Sequence, residues 1–237
     1  MSQLPERSIH LHYHQGTGEP SPTQGVVLQG PWRLVNQHEL YHIDNDPEQR
    51  DNIAASHPQR VAALPQESAD WWAEIANEFN RPITIPVGLD TAVTHLDSMD
   101  LHGDIAWHQA MVARAKRCSG HWLVSIANSG RYRVVLRRWP AELNLSLNAD
   151  MSPDAIARLV DAADSDDPPQ QFAAHSASLH IGDVHVEQTV DPAAQEVVFE
   201  IDVSQQDLTT LSAHFHHPVH GDFAAYFVEI GLIAPTA

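Results

Sequence analysis

The sequence predicts an α+β protein: a small antiparallel sheet with a covering helix, followed by an antiparallel β-sandwich. Three observations predict it. Short apolar or alternating runs cut by turn residues open the chain, and one stretch of helical periodicity follows between His57 and Phe79. Beyond Arg81-Pro82 the pattern is all-β, with seven or more short strand candidates separated by turn signals. The composition shift places the boundary after residue 80, so the expected domains are 1–80 and 81–237.

Taken in order, Ser8 to His14 alternates, with Ile9, Leu11 and Tyr13 on one face and His10, His12 and His14 on the other. A Gly/Pro-rich loop runs from Gly16 to Gly25. Val26–Leu28 and Trp32–Val35 are strands separated by the Gly30-Pro31 turn, and Asn36-Gln37-His38 turns the chain into Glu39–Ile43. The result is a small antiparallel meander. After a polar loop containing Asp46-Pro47, Val61, Leu64, Trp71 or Trp72, Ile75 and Phe79 recur every three or four residues. Pro65 lies inside that stripe, where it removes a hydrogen bond and costs ~3 kcal/mol, so two helices or a sharp kink are expected, with Ala69–Asn77 the firmer piece.

In the second half, Trp122–Ala127 and Tyr132–Leu136 flank Asn128-Ser129-Gly130-Arg131, a hairpin signal. Further strands are expected at Leu143–Leu147, Ala177–Ile181, Val184–Val190, Glu196–Val203, Leu208–Phe215 and Ala224–Ile233. Ser152-Pro153 caps a short helix from Asp154 to Ala163, and the acidic tract Asp161–Pro169 reads as a solvated loop.

Composition excludes several classes. Of 237 residues 43% are hydrophobic, enough for a real core, yet no apolar run approaches the ~18 residues of a membrane span. Thirteen basic against 31 acidic residues give a net charge of -18, which repels phosphate backbones and anionic membranes, so neither nucleic acid nor membrane is an expected partner. The opening residues contain no apolar segment of the signal-peptide kind.

Candidate chemistry is sparse. The single cysteine, Cys118, excludes an intrachain disulfide, and its Lys116-Arg117 neighbours are the sort of cations that lower a thiol pKa. A lone cysteine before a strand is nonetheless read as incidental. Seventeen histidines stand out: His10, His12 and His14 alternate on one strand, while His214, His216, His217 and His220 cluster near Phe215 and Pro218. Strand spacing suits ligands sharing a metal, but no carboxylate or cysteine completes a metal motif, so these are read as surface or structural histidines. Trp107, Trp122 and Trp139 are either sugar-stacking or core aromatics, and core packing is the favoured reading. No GxSxG, P-loop or GxGxxG is present. No catalytic, cofactor-binding or metal residue is assigned in this chain.

One stretch carries a resemblance. Trp32-Arg33-Leu34-Val35-Asn36, Glu39-Leu40-Tyr41, Asp44-Asn45-Asp46-Pro47-Glu48-Gln49-Arg50-Asp51-Asn52-Ile53-Ala54, His57-Pro58-Gln59-Arg60-Val61 and Trp71-Trp72 resemble, in order and spacing, the C-terminal subdomain of type I (formylglycine-dependent) sulfatases. Leu136–Glu142, Ala177–Gly182, Glu196–Glu200 and Gly221–Val228 are similar to the tail of a subset of these arylsulfatase-like enzymes. Gln37 stands where the family has a turn glycine, His42 where it has Asp, and Pro65 interrupts a helix that is normally continuous.

The resemblance implies a C-terminal portion of a sulfuric ester hydrolase that packs on a catalytic domain, in cis or in trans, and helps shape the pocket for a sulfated ester or carbohydrate. It implies formylglycine and calcium for that catalytic domain, whose C/S-x-P/A-x-R motif is missing here, since Cys118 is followed by Ser-Gly-His. Family members are often periplasmic or secreted. On this reading the strand Ile9–Tyr13 and its sheet are expected to expose an apolar face. The rival readings are a free-standing carbohydrate-binding β-sandwich module and a histidine-rich metal-binding protein.

Overall fold

A computed structural model describes residues 7–13, 21, 23–90, 92–152, 154–155 and 170–236. The fold is α+β and mostly sheet, and the chain divides into two compact units, Met1–Pro82 and Ile83–Ala237.

The first unit is a four-stranded antiparallel meander: β1 (Ser8–Leu11), β2 (Val26–Gln29), β3 (Trp32–Val35) and β4 (Glu39–His42), paired in chain order. Its register sets His10, Val27, Leu34 and Leu40 in one row across the sheet. Val27, Leu34 and Leu40 pack with Leu64 of helix α1 (Pro58–Ile75) as a small core. Leu40 and Leu64 are almost wholly buried. Asn36 and Gln37 both have positive φ in the β3–β4 turn (48° and 64°), which explains why a glycine suits position 37.

The Asp-Pro loop is a clamp. Asn52 Oδ1 accepts from the backbone N–H of Leu40 and of Ala54, Ile53 N–H donates to Leu40 O, and Asp51 N–H donates to Asp46 Oδ2. These bonds tie the loop to β4 and aim the chain into α1.

Helix α1 does not break at Pro65. A single 18-residue helix runs through it and continues as 3-10 turns over Ala76–Asn80. Burial on both sides of the proline, by Leu64 before it and Ser68 after it, outweighs the lost hydrogen bond. The expectation of two helices or a kink gives way to one continuous element.

The second unit is a two-sheet sandwich. Its strands are β5 (Ile85–Val87), β6 (Val93–Asp97), β7 (His102–Asp104), β8 (Ser119–Ile126), β9 (Gly130–Arg137), β10 (Ser176–Ile181), β11 (Val184–Thr189), β12 (Val197–Val203), β13 (Gln206–His217), β14 (Gly221–Ala224) and β15 (Phe227–Pro235). One sheet runs β11-β10-β13-β8-β5, with β14 beside β13 and β7 beside β8; the other runs β12-β9-β15-β6. All pairs are antiparallel except β5–β8, which is parallel. Alternate residues such as Trp122, Val124 and Ile126 of β8 and Tyr132, Val134 and Leu136 of β9 fill one shared core. A short helix, α2 (Gln109–Ala113), adds four buried residues to it.

Three expectations are corrected here. Asn128-Ser129-Gly130 does not close a hairpin: β8 and β9 lie in different sheets, and the segment carries the chain between them. Fastenings from elsewhere hold it, with Tyr132 Oη donating to Asn128 O, Asn128 Nδ2 to Gly88 O, and Thr236 N–H to Ser129 O. Leu143–Leu147 is not a strand: a 3-10 turn over Ala141–Leu143 ends at Asn144 in the left-handed region, and Leu147 N–H bonds to Ala194 O. Ala224–Ile233 is not one strand, because Ala225 and Tyr226 pass between sheets, with Tyr226 Oη donating to Lys116 O. Most of the Gly16–Gly25 loop, His14, most of the Asp154–Ala163 helix and the acidic tract lie outside the described residues. Among the described residues no helix is long and apolar enough to cross a membrane.

Candidate functional site

Strands β2 and β3 and the start of α1 frame a recess in the first unit. The clamp on β4 delivers the N-terminal turn of α1 beside β2 and β3, which brings Arg60 over the Trp32 ring, 4.4 Å from its centroid. Arg60 Nη1 donates to Gln29 Oε1 at 2.9 Å. Trp32 is edged by His42 and His57, with ring centroids at 4.6 and 5.0 Å. Beside this stack lies a cavity of ≈ 560 Å³ lined by Gln29, His57, Arg60, Leu64 and Glu67. A guanidinium carries five donors, so bonding Gln29 leaves Arg60 able to hold the oxygens of an anionic or polyhydroxylated group. The volume suits a small polar ligand.

The opposite face of this sheet has another character. His10 and His12 turn inward, His10 stacking on Trp71 at 5.1 Å and His12 tilting against Trp72 at 5.0 Å. Ile9 and Leu11 consequently face away from α1 and are 43% and 52% exposed, with Tyr13 beyond them at 75%. Ile9 pairs with Leu28 and Leu11 with Val26, so the β1–β2 half of the face opposite the helix is apolar, while Arg33, Tyr41 and Glu39 continue that face on β3 and β4.

Cys118 is buried, and desolvation first, then Asp104, push its thiol up to about 12 against the opposing pull of Lys116, which disfavours the thiolate. The flanking cations expected from the sequence do not prevail. We expect no reaction of Cys118 with a disulfide reagent near neutral pH in the native protein and one equivalent after unfolding in guanidinium chloride; native labelling at the unfolded rate contradicts the assignment.

The histidines divide by strand face. His180 and His185 pair across β10–β11, and His102 and His121 across β7–β8. His217 and His220 stack at 4.4 Å, and His217 Nδ1 accepts from the backbone N–H of Val219 and His220. Among the described residues no group of three or more His, Cys, Asp or Glu side chains is placed to hold a metal. Trp122 and Trp139 are buried in the core, while Trp107 is half exposed against the His108 ring.

One constellation was not legible in the sequence. Ser178, His216 and Asp222 come from three strands, and nothing in their spacing links them. Register does: His216 lies opposite Asp222 and two residues along β13 from His214, the partner of Ser178. His216 Nε2 is 2.7 Å from Ser178 Oγ, and its Nδ1 is 2.8 Å from Asp222 Oδ1.

No protein-family model, no curated protein and no solved structure matches this chain.

Proposed function

We propose that the chain is the C-terminal part of an arylsulfatase-like sulfuric ester hydrolase, supporting a catalytic domain and shaping its substrate pocket without itself cleaving the sulfate ester. The observation that carries this reading is the one-sided small sheet. The residues behind the resemblance serve as its frame, with Trp32 under Arg60, Leu34 and Leu40 in the core and Asn52 in the clamp. Its other face presents Ile9 and Leu11 to solvent. Exposed apolar area of this kind favours a protein neighbour, since burial is worth ~25 cal/mol per Å². The Arg60 cavity is then the portion of the substrate pocket that this part contributes.

The test joins the chain to its upstream coding sequence. That sequence is expected to supply C/S-x-P/A-x-R, and the joined protein, unlike this chain, is expected to hydrolyse 4-nitrophenyl sulfate. Arg60→Ala in the joined protein is expected to raise KM for an anionic carbohydrate sulfate by about tenfold, with kcat little changed, as loss of one charge-assisted bond of ~1.5 kcal/mol implies. Unrelated upstream sequence, with binding of the isolated chain on a glycan array, would instead favour a carbohydrate-binding module using Trp107.

A further inference from the structure

The outer face of the larger sheet carries a second chemistry, independent of the sulfatase reading. Alternation along β10 turns Ala177 and Leu179 into the core and leaves Ser176 and Ser178 outward. Along β13 the same alternation buries Ala213 and Phe215 and sends His214 and His216 outward. Pairing then assembles four side chains. Ser178 lies directly opposite His214, and His216 directly opposite Asp222. Direct cross-strand neighbours stand about 5 Å apart at Cβ, and diagonal ones are within reach of a long side chain such as histidine.

The hydrogen bonds fix the tautomer of His216. A carboxylate only accepts, so the bond to Asp222 places the proton on Nδ1 and leaves Nε2 to accept from the Ser178 hydroxyl. Serine, imidazole and carboxylate in that order are the arrangement that activates a hydroxyl nucleophile, recognised by geometry and not by chain order. His216 is partly buried and Asp222 mostly exposed, so the relay sits at the surface where a substrate reaches it.

His214 supplies what a bare serine relay lacks. Burial first, then the neighbouring His216 ring, lower its pKa against the opposing attraction of Asp222, so the ring is held neutral. A neutral imidazole donates a hydrogen bond without quenching the base beside it. Its ring lies 6.2 Å from that of His216.

We propose that Ser178, His216 and Asp222 form an acyl-transfer relay that hydrolyses small neutral carboxylic esters, with His214 meeting the developing oxyanion. Ser178 Oγ attacks the carbonyl carbon while its proton passes to His216 Nε2. The tetrahedral adduct collapses, the C–O bond to the alcohol breaks, and His216 returns the proton to the departing oxygen. Water then attacks the acyl-serine, giving up a proton to His216, which hands it to Ser178 Oγ as the acid leaves. The sum is ester plus water to acid plus alcohol. Asp222 is a positioning residue, holding the imidazole in the right tautomer.

The surroundings select the substrate. Glu187 pairs with Ser178 across β10–β11 and accepts from Ser176 Oγ at 2.7 Å, and Asp222 stands on the other side. Two carboxylates flanking the nucleophile repel anionic esters. Ser176 and His214 beside it are polar, which favours short acyl groups over long chains.

The test is covalent. The intact chain is treated with a neutral fluorophosphonate, which transfers phosphorus to an activated serine with loss of fluoride, and adducts are mapped by mass spectrometry. Labelling is expected at Ser178 and not at Ser176, which lies on the same face but bonds Glu187. Ser178→Ala removes the adduct, His216→Gln slows labelling by about 10³-fold or more, and Asp222→Asn by about 10²-fold. Asp222→Glu, which keeps the carboxylate, recovers at least tenfold of that last loss, as a merely structural residue would not. Each variant is checked for native circular dichroism. Absence of a Ser178 adduct, equal labelling of Ser176, or a rate unchanged in His216→Gln overturns the proposal.

Discussion

Arg138→Ala is expected to lower the unfolding free energy of the second unit by ~3–5 kcal/mol, among the largest effects of any single substitution in it. Arg138 follows β9 and is fully buried. Its Nη1 donates to the carbonyls of Leu147 and Ala149 and its Nη2 to that of Ala113, so one guanidinium fastens the 147–149 turn to the end of α2. Its Cζ lies 4.4 Å from the ring centroids of both Trp139 and Phe172. Burial pulls its pKa down, opposed by Tyr226 and Asp150, the latter with an oxygen 3.6 Å from Nη1. Removing the side chain leaves three carbonyl acceptors and a cavity between two aromatic rings. A buried acceptor left unpaired costs ~1–3 kcal/mol, but losing the buried charge refunds part of that sum. Arg138→Met, which keeps the stem against the rings, should lose about half as much as alanine. Arg138→Lys should fall between them, because one ammonium does not span three carbonyls. Guanidinium unfolding read by tryptophan fluorescence measures the series, and an alanine variant within ~1 kcal/mol of the parent would show that water replaces the guanidinium.

That residue also shows how far the sequence could be read. Nothing in Leu136-Arg137-Arg138-Trp139-Pro140 says that the second arginine is interior. Side-chain alternation is local, so the meander and most of the sandwich strands were legible at once. Pairing is not local. Trp122–Ala127 and Tyr132–Leu136 look like two arms of a hairpin because each alternates and a turn lies between, yet that pattern equally suits two strands on facing sheets. β5, β6 and β7 are not legible because their residues carry no apolar alternation: Pro86 sits in the middle of β5, β6 reads Val-Thr-His-Leu-Asp, and every residue of His102–Asp104 is exposed.

The same limit governs the candidate sites. The histidine cluster around His214 and His216 is plain in the sequence, where it reads as surface or structural histidine. What turns it into chemistry is the placement of Ser178 and Asp222 against it, which only the register of β10, β13 and β14 decides. In the first unit the alternation of Ile9, Leu11 and Tyr13 against His10, His12 and His14 is plain in the sequence, and so is the expectation that the apolar side is exposed. What the alternation does not show is that His10 and His12 stack on Trp71 and Trp72, a contact distant along the chain.

Leu40→Ala is expected to unfold the first unit while leaving the second folded. The small core consists of Val27, Leu34, Leu40 and Leu64, with Trp32, Ile53, Ala54 and Val61 packed against it. Leu40 is fully buried, stands directly opposite Leu34, and has both backbone groups held by the clamp, through Asn52 Oδ1 and Ile53 N–H. The site therefore has little freedom to collapse, which puts the cost of the truncation at ~3–5 kcal/mol. A unit of some 80 residues has only ~5 kcal/mol to lose, so the folded population falls steeply. The second unit has its own core and shares none of these side chains. Hydrogen exchange resolves the two: amides of β2–β4 and α1 should lose protection in the variant, and those of β8, β9 and β13 should keep it. Leu40→Met, close in volume, should cost under ~1.5 kcal/mol and preserve both patterns. Loss of protection spread evenly over both units would show that the small sheet is a cooperative part of the sandwich. In the sulfatase reading an independent unit matters, because an attachment that folds by itself keeps the Arg60 cavity preformed before it meets a catalytic domain, and docking then has less ordering entropy to overcome.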